Sequence, residues 1–198
     1  MKMISDKLYF ERNLKKEFEL NYIIKSGLAK MNITKRHFIR KDELDELKQT
    51  LREMYGERFI EEVFPKKSRV EIIITEEDDN LYAINGKLAL WKSKDGYIPV
   101  LPFLLDNRIG LKSIIVDMGA VPYVTLNQAD IMRPGITEIE SSIEKGDIVR
   151  IADEKNNRTL AVGKAMYDAK EMKLKEKGKV VKNLHTINDD MWEFAERF

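Results

Sequence analysis

The chain of 198 residues has the size of one medium domain or two small ones, and a hydrophobic fraction of 43% is typical of a folded protein. It contains no cysteine and only two histidines, which excludes disulfides, thiolate metal sites, cysteine nucleophiles and three-histidine metal centres. The net charge of +1 is unevenly distributed, because residues 1–41 carry +7 and the remaining residues carry −6.

The first 30 residues are predicted to be a helical N-terminal extension. Leu8, Leu14, Phe18 and Tyr22 follow helical spacing, which predicts an amphipathic helix over residues 6–24. Gly27 is expected to end this helix.

A basic segment at residues 30–41 follows the extension and includes the aromatic side chain of Phe38. Such a segment is suited to phosphate-backbone contacts, and it is equally typical of a sheet edge protected from aggregation by charge. The candidate backbone contacts are Lys35, Arg36, Arg40 and Lys41.

Residues 31–110 are predicted to form a mixed α/β domain. Asp42 is a good N-cap for a helix whose apolar stripe ends before Gly56. Asn85-Gly86 is a strong hairpin signal, and Asp95-Gly96 indicates a second turn. The predicted strands cover residues 69–75, 81–84, 87–91 and the segment after Gly96, with the acidic run 76–79 in a loop.

A domain boundary is predicted at residues 106–110, and the chain beyond it reads as a small β-barrel. A charged helix over residues 169–177, capped by Gly178, interrupts the strands. The predicted strands are residues 113–117, 121–126, 147–152, 159–168 and 180–187.

Motifs for catalysis are absent from the sequence. It has no G-x-G, P-loop, G-x-S-x-G or H-E-x-x-H pattern, and no activated serine accompanies His185. Trp91 and Trp192 are interpreted as core residues. We therefore expect a binding protein without enzymatic activity, metal or cofactor.

The signature segment, residues 116–136, resembles the opening of a PUA domain, a small RNA-binding barrel. Its matching positions are Asp117, Gly119-Ala120, Ala129-Asp130 and Pro134-Gly135-Ile136. Asn127-Gln128 departs from the pattern, because many members have a glycine before Ala-Asp. We expect residues 129–132 to form one helical turn that Pro134-Gly135 ends, with backbone amides able to hold phosphate.

The chain from about residue 35 onward is similar to the malignant-T-cell-amplified-sequence family. The resemblance is carried by FPKK at 64–67, the strand at 87–91 and the ending LHTINDDMWEF at 184–194. It implies a non-catalytic, cytoplasmic translation factor at the small ribosomal subunit, acting in initiation, reinitiation, or tRNA release and recycling.

The resemblance also implies the partners. These are small-subunit rRNA or tRNA and a SUI-domain protein similar to density-regulated protein, and no membrane is involved. Two alternatives remain open, namely an accessory RNA-binding protein for a tRNA- or rRNA-modifying enzyme and a protein–protein adaptor.

The resulting fold class is α+β, with an N-terminal mixed α/β domain (residues 31–110, the N-terminal half) packed on a C-terminal PUA pseudobarrel (residues 111–198, the PUA half). From residue 112 onward the charge is slightly negative, so any RNA site there should be small and shaped. The predicted RNA-binding residues are Gly119, Ala120, Asn127, Asp130, Arg133, Gly135, Lys164, Lys182 and His185.

Overall fold

The computed structural model describes residues 31–76 and 79–198. By internal contacts the chain divides into two units, Met1–Asn32 and Ile33–Phe198, and every helix and strand described belongs to the second. The helix predicted over residues 6–24 and the extension predicted over residues 1–30 lie outside the described residues.

The N-terminal half is an antiparallel five-stranded sheet in the order β1-β2-β3-β4-β5 with three helices. Two helices stand between β1 and β2, and the third follows β5. The elements are β1 Ile33–Phe38, α1 Lys41–Tyr55, α2 Glu57–Val63, β2 Val70–Thr75, β3 Asn80–Ile84, β4 Lys87–Ser93, β5 Gly96–Pro99 and α3 Leu101–Asn107.

Helix α1 begins earlier than predicted. Arg40, and not Asp42, is the N-cap, because the Glu43 carboxylate reaches back and accepts from the Arg40 backbone N–H at 3.2 Å. At the other end Gly56 has φ +86° and its N–H donates to the Arg52 carbonyl. The predicted stop at Gly56 is therefore confirmed.

The hairpin turns follow the sequence signals closely. Asn85 and Gly86 have φ of +53° and +82° and join β3 to β4 as predicted. The second turn is shifted by one residue from the prediction, since Gly96 pairs with Ser93 and Lys94-Asp95 forms the loop. Of the acidic run, Glu76 and Asp79 lie between β2 and β3.

The PUA half contains a six-stranded sheet in the order β7-β11-β10-β9-β6-β8. The two edge strands β7 and β8 are joined by only three residues, Arg133–Gly135, so the sheet must curl until its edges nearly meet. The elements are β6 Ser113–Val116, α4 Val121–Thr125, β7 Ile131–Met132, β8 Ile136–Ile139, β9 Ile148–Asp153, β10 Thr159–Ala165, α5 Ala169–Leu174, β11 Lys179–Thr186 and α6 Asp190–Arg197.

Three local predictions in the PUA half are wrong. Residues 121–125 form helix α4 and not a strand, because Pro122 stands in the first helical turn, where its missing N–H removes no hydrogen bond. Residues 131–132 are a strand, and the helical turn falls on Arg133–Gly135. Helix α5 ends at Leu174 rather than at Gly178, since Lys175 is already extended.

The two halves share a hydrophobic core. Ile148 and Val162 of the PUA half are buried in the same cluster as Leu90 and Leu101 of the N-terminal half. Trp91 and Trp192 pack against this cluster while partly buried. The barrel has a second core of its own, which includes Ile114, Val149, Ile151, Met172 and Val181.

Candidate nucleic-acid interface

The signature segment folds into two turns that pack against each other. The Asp117 carboxylate accepts from the Ala120 N–H at 2.7 Å, and the Asp117 N–H donates to the Gly135 carbonyl at 3.0 Å. A Cβ on Gly135 would lie only 3.0 Å from the Cβ of Ala120, and one on Gly119 would lie 3.2 Å from Asp117 Oδ1. The structure thus brings Gly119, Ala120 and Gly135 together, and the missing side chains of the two glycines permit close packing.

Helix α4 buries one face and exposes the other. Val124 and Thr125 are buried, whereas Tyr123 is 62% exposed. Large exposed apolar side chains are concentrated in residues 118–132, and they are Met118, Tyr123, Leu126 and Met132. Among these groups, a tyrosine ring can stack on an unpaired base.

The loop after α4 is tied to strand β11 through Asp130. One Asp130 oxygen accepts from the Asn183 N–H at 2.8 Å, and the other pairs with Lys179 Nζ at 2.5 Å. The side-chain amide of Asn183 in turn donates to the backbone carbonyls of Val124 and Ala129. Asp130 therefore shapes the loop, while Asn127 is exposed at its tip.

Gln128, and not Asn127, takes the left-handed backbone conformation, with φ +53°. This is the position before Ala129-Asp130 at which glycine was expected from the family pattern. A Gln128→Gly substitution is expected to raise the free energy of unfolding by about 0.5 kcal/mol, because the relieved left-handed strain exceeds the added entropy of the unfolded chain. Urea denaturation measures this change, and a loss of stability would contradict it.

Arg133 is anchored by carbonyl oxygens and not by a carboxylate. Its Nε donates to the Met172 carbonyl at 2.8 Å near the end of α5, and its Nη1 donates to the Ile136 carbonyl at 3.1 Å. A guanidinium carries five N–H donors. Three donors of the half-buried Arg133 thus remain for an external phosphate.

A lysine segment, residues 170–182, lies directly beside the signature segment. The Arg133 N–H donates to the Gly178 carbonyl, and Met132 pairs with Lys179 across β7 and β11. The segment carries six lysines against two glutamates. Lys170, Lys173 and Lys177 are exposed, and no salt bridge within residues 31–76 and 79–198 involves them.

Sequence reasoning missed Tyr123 and these lysines. Tyr123 was missed because residues 121–126 were predicted to be a strand. Pro122 was the signal for the start of a helix. The lysines fall in the charged helix predicted over residues 169–177. Their spacing at 170, 173 and 177 was the available signal, because residues three and four positions apart lie on one face of a helix.

Lys164 and Lys182 face the N-terminal half. Both ammonium groups contact the Asp95 carboxylate in the β4–β5 turn, at 3.4 Å and 2.6 Å respectively. The hydrogen bond from Lys182 holds the pKa of Asp95 below its usual value. Because both ammonium groups are engaged with Asp95, these two lysines join the halves, and we do not include them in the proposed interface.

His185, a predicted RNA-binding residue, lies between the halves and not on the surface. The side chain is buried, with the residue 1% exposed. Its Nε2 accepts from the Leu101 backbone N–H at 3.0 Å, and its Nδ1 contacts the Asp189 carboxylate at 2.7 Å. These partners assign the proton to Nδ1 and make His185 a link between the halves.

The basic N-terminal segment lies on the edge strand β1 and the start of α1. Arg36 forms a bidentate pair with Glu71, and Arg40 pairs with Asp42. Lys35 and Lys41 are exposed, and no salt bridge in the described part of the chain involves either lysine. All six residues of β1 are exposed, so this strand has the charged, unpaired edge expected from its sequence.

Other site types find no support in the described residues. Within residues 31–76 and 79–198, no group of three His, Cys, Asp or Glu side chains is placed to hold a metal ion. The helices of the same residues are too short or too polar for a membrane span.

The PUA domain profile matches residues 112–187, and the profile of a Domain of unknown function (DUF1947) matches residues 35–107. An uncharacterized protein of Methanocaldococcus jannaschii is 37% identical over 164 residues, which are 83% of this chain and 99% of that protein. Translation machinery-associated protein 20 of Saccharomyces cerevisiae is 33% identical over 70% of this chain and 80% of its own, and the rat protein Malignant T-cell-amplified sequence 1 also matches. The chain belongs to the malignant-T-cell-amplified-sequence family.

The family assignment extends to the rat protein Malignant T-cell-amplified sequence 1, which is 30% identical over 69% of this chain and 76% of its own length. A crystal structure of a hypothetical protein from Pyrococcus horikoshii has 32% identity and a TM-score of 0.71, covering 81% of this chain and 99% of that chain. The predicted α+β class with a PUA pseudobarrel in this family member is thereby confirmed.

Proposed function

We propose that this protein is an RNA-binding factor of the translation machinery that acts at the small ribosomal subunit. It would serve in initiation, reinitiation, or tRNA release and recycling, without a catalytic step of its own. A role in translation is supported by the relatives that are named for the translation machinery. The observation that carries the RNA contact is that the exposed Met132 pairs with Lys179, next to the exposed lysines of α5 and the following loop. The exposed Tyr123 lies in the same signature segment as Met132.

The proposed interface combines stacking with backbone neutralisation. Tyr123 offers its ring to an unpaired base, and Lys173 and Lys177 neutralise phosphates. Arg133 contributes its remaining donors from the turn between β7 and β8. Gly119, Ala120, Asn127, Asp130 and Gly135 shape the turns that carry these groups.

A double variant tests the electrostatic part. Lys173→Gln with Lys177→Gln is expected to weaken binding to small-subunit RNA or tRNA for all sequences alike. The slope of log affinity against log salt should fall by about 1.4, since each lost phosphate contact on a single strand is worth about 0.7. Fluorescence anisotropy over 50–200 mM salt, a range of about fourfold, measures the slope.

The matched control is Lys66→Gln with Lys94→Gln. It removes the same charge from exposed positions of the N-terminal half. An equal effect of the two double variants would show a non-specific field and would contradict the interface. Tyr123→Ala in the same assay is expected to lower affinity about tenfold, as for the loss of one stacked base.

The process is tested by co-purification. Association with small ribosomal subunits, and with a SUI-domain protein similar to density-regulated protein, is expected. Co-purification with a tRNA- or rRNA-modifying enzyme instead would favour the accessory role. Retention of the cellular function in the Lys173/Lys177 variant would favour an adaptor that does not use RNA.

A further inference from the structure

A cleft of about 440 Å³ lies where the connection between the halves meets the β9–β10 hairpin. Leu104, Leu105, Ile109 and Leu111 provide apolar lining, and Arg108, Arg150 and Arg158 provide positive charge. None of its lining residues belongs to the signature segment's turns or to the lysine segment. We refer to it as the junction cleft.

The three arginines of the junction cleft are not neutralised. Within residues 31–76 and 79–198, no salt bridge involves Arg108, Arg150 or Arg158. Arg150 is half-buried on β9 and contacts only neutral acceptors, namely the carbonyl and side-chain oxygens of Asn157 and the hydroxyl of Thr159. Desolvation lowers the pKa of this guanidinium, and the negative charge of Glu140 opposes that shift.

Glu140 is the acidic side chain that lines the cleft, and both of its oxygens accept hydrogen bonds from neighbouring residues. One Glu140 oxygen accepts from the backbone N–H of Ser113 at 2.9 Å, and the other accepts from the Ser142 hydroxyl at 2.8 Å. Ser113 stands between Arg150 and Glu140, since it pairs with Arg150 across β6 and β9 and hydrogen-bonds to Glu140 on its other side. Net positive charge therefore remains in the cleft.

The backbones that carry the arginines are held in place. The Arg158 N–H donates to Asp153 Oδ2 at 3.0 Å, and the other Asp153 oxygen accepts from Asn156. Arg108 ends α3 in a left-handed conformation with φ +53°. A partly desolvated arginine that shares a cleft with two exposed arginines on fixed turns is an arrangement suited to an anion.

We propose that the junction cleft binds a nucleotide through its phosphate, with the apolar lining against the base or ribose. A phosphate can accept several charge-assisted hydrogen bonds at once, and the volume lies within the range of small-ligand pockets. The nucleotide is either free or one unit of an RNA strand. Only the second source rests on the proposed RNA-binding function.

The test uses the full-length protein with three probes: AMP, adenosine, and an octanucleotide of single-stranded RNA. Arg150→Gln is expected to weaken AMP or RNA binding at least about tenfold, because the phosphate loses the charge-assisted hydrogen bonds of one guanidinium. Isothermal titration calorimetry measures this change. Arg108→Ala with Arg158→Ala is a second variant at exposed positions, which keeps the test valid if Arg150→Gln unfolds. Arg58→Ala, an exposed arginine on α2, is the control.

The outcomes separate the two sources. Binding of AMP but not adenosine, lost in the cleft variants and kept in Arg58→Ala, supports a free nucleotide. Arginine-dependent binding of RNA without binding of AMP supports an RNA phosphate. Should neither AMP nor RNA binding change in the cleft variants relative to Arg58→Ala, the proposal is overturned, while the Lys173/Lys177 result would still report on the proposed function independently.

Discussion

Replacing His185 with alanine is expected to lower the free energy of unfolding by about 3 kcal/mol, because a buried cavity and an unsatisfied N–H are created together. The ring is 1% exposed and accepts the hydrogen bond of the Leu101 N–H, a residue that is itself fully buried. Urea denaturation followed by circular dichroism measures the change.

The second histidine provides the control. His37 lies on the exposed edge strand β1, so His37→Ala should change stability by no more than about 0.5 kcal/mol. In either variant the Asp189 carboxylate keeps the hydrogen bonds that it accepts from the backbone N–H groups of Thr186 and Trp192. Equal stabilities of the two alanine variants would mean that His185 does not link the halves.

The difference between the two histidines shows where sequence reasoning reaches its limit. Local patterns predicted the hairpin turn at Asn85-Gly86 and the helix end at Gly56. They did so because these residues adopt the positive φ that the turn and the helix end require. The hydrogen bond between Leu101 and His185 joins residues 84 positions apart. Such a pairing depends on tertiary packing, and nothing in the neighbouring sequence of His185 distinguishes a buried link from a surface ligand.

The candidate interface was predictable in position but not in its contact groups. The pattern from Asp117 to Gly135 located the turns, because glycine and proline are required there for packing. Several of the same residues also hold the turns in place. Arg133 donates to two carbonyls, and Asp130 accepts from an N–H of β11. The exposed groups beside them, Tyr123 and the lysines of α5, depend on which face of a short helix is buried.

Charge shows the same limit at a larger scale. From residue 112 onward the chain has 14 basic and 15 acidic residues, which predicts a small, shaped RNA site and no broad positive field. The lysine segment alone carries +4, so the remainder of this region carries −5. Positive charge is thus concentrated in the lysine segment next to the signature turns. Attraction to the lysine segment and repulsion from the rest of the PUA half can orient a polyanion.

A Gly163→Ala substitution is expected to lower the free energy of unfolding by about 3 kcal/mol, at the upper end of ordinary overpacking. Gly163 lies at an irregularity of the β10–β11 pairing, with its neighbour Lys164 paired to Lys182. An added Cβ would stand 2.7 Å from the Lys182 carbonyl oxygen, 2.7 Å from Val181 Cγ1 and 2.9 Å from Ile151 Cδ1. The backbone oxygen can retreat only if β11 moves away from β10.

Movement of β11 would also displace Lys182 from Asp95 and His185 from Leu101, so the effect should reach the joint between the halves. Gly110→Ala is the matched control, because a Cβ there meets nothing within 4 Å and its backbone is not left-handed. That variant should be unchanged or stabilised by up to about 0.5 kcal/mol, through a smaller entropy of the unfolded chain. If Gly163→Ala is as stable as Gly110→Ala, then β10 and β11 are not packed as closely as the structure places them, and the contacts of Lys182 and His185 with the N-terminal half lose their support.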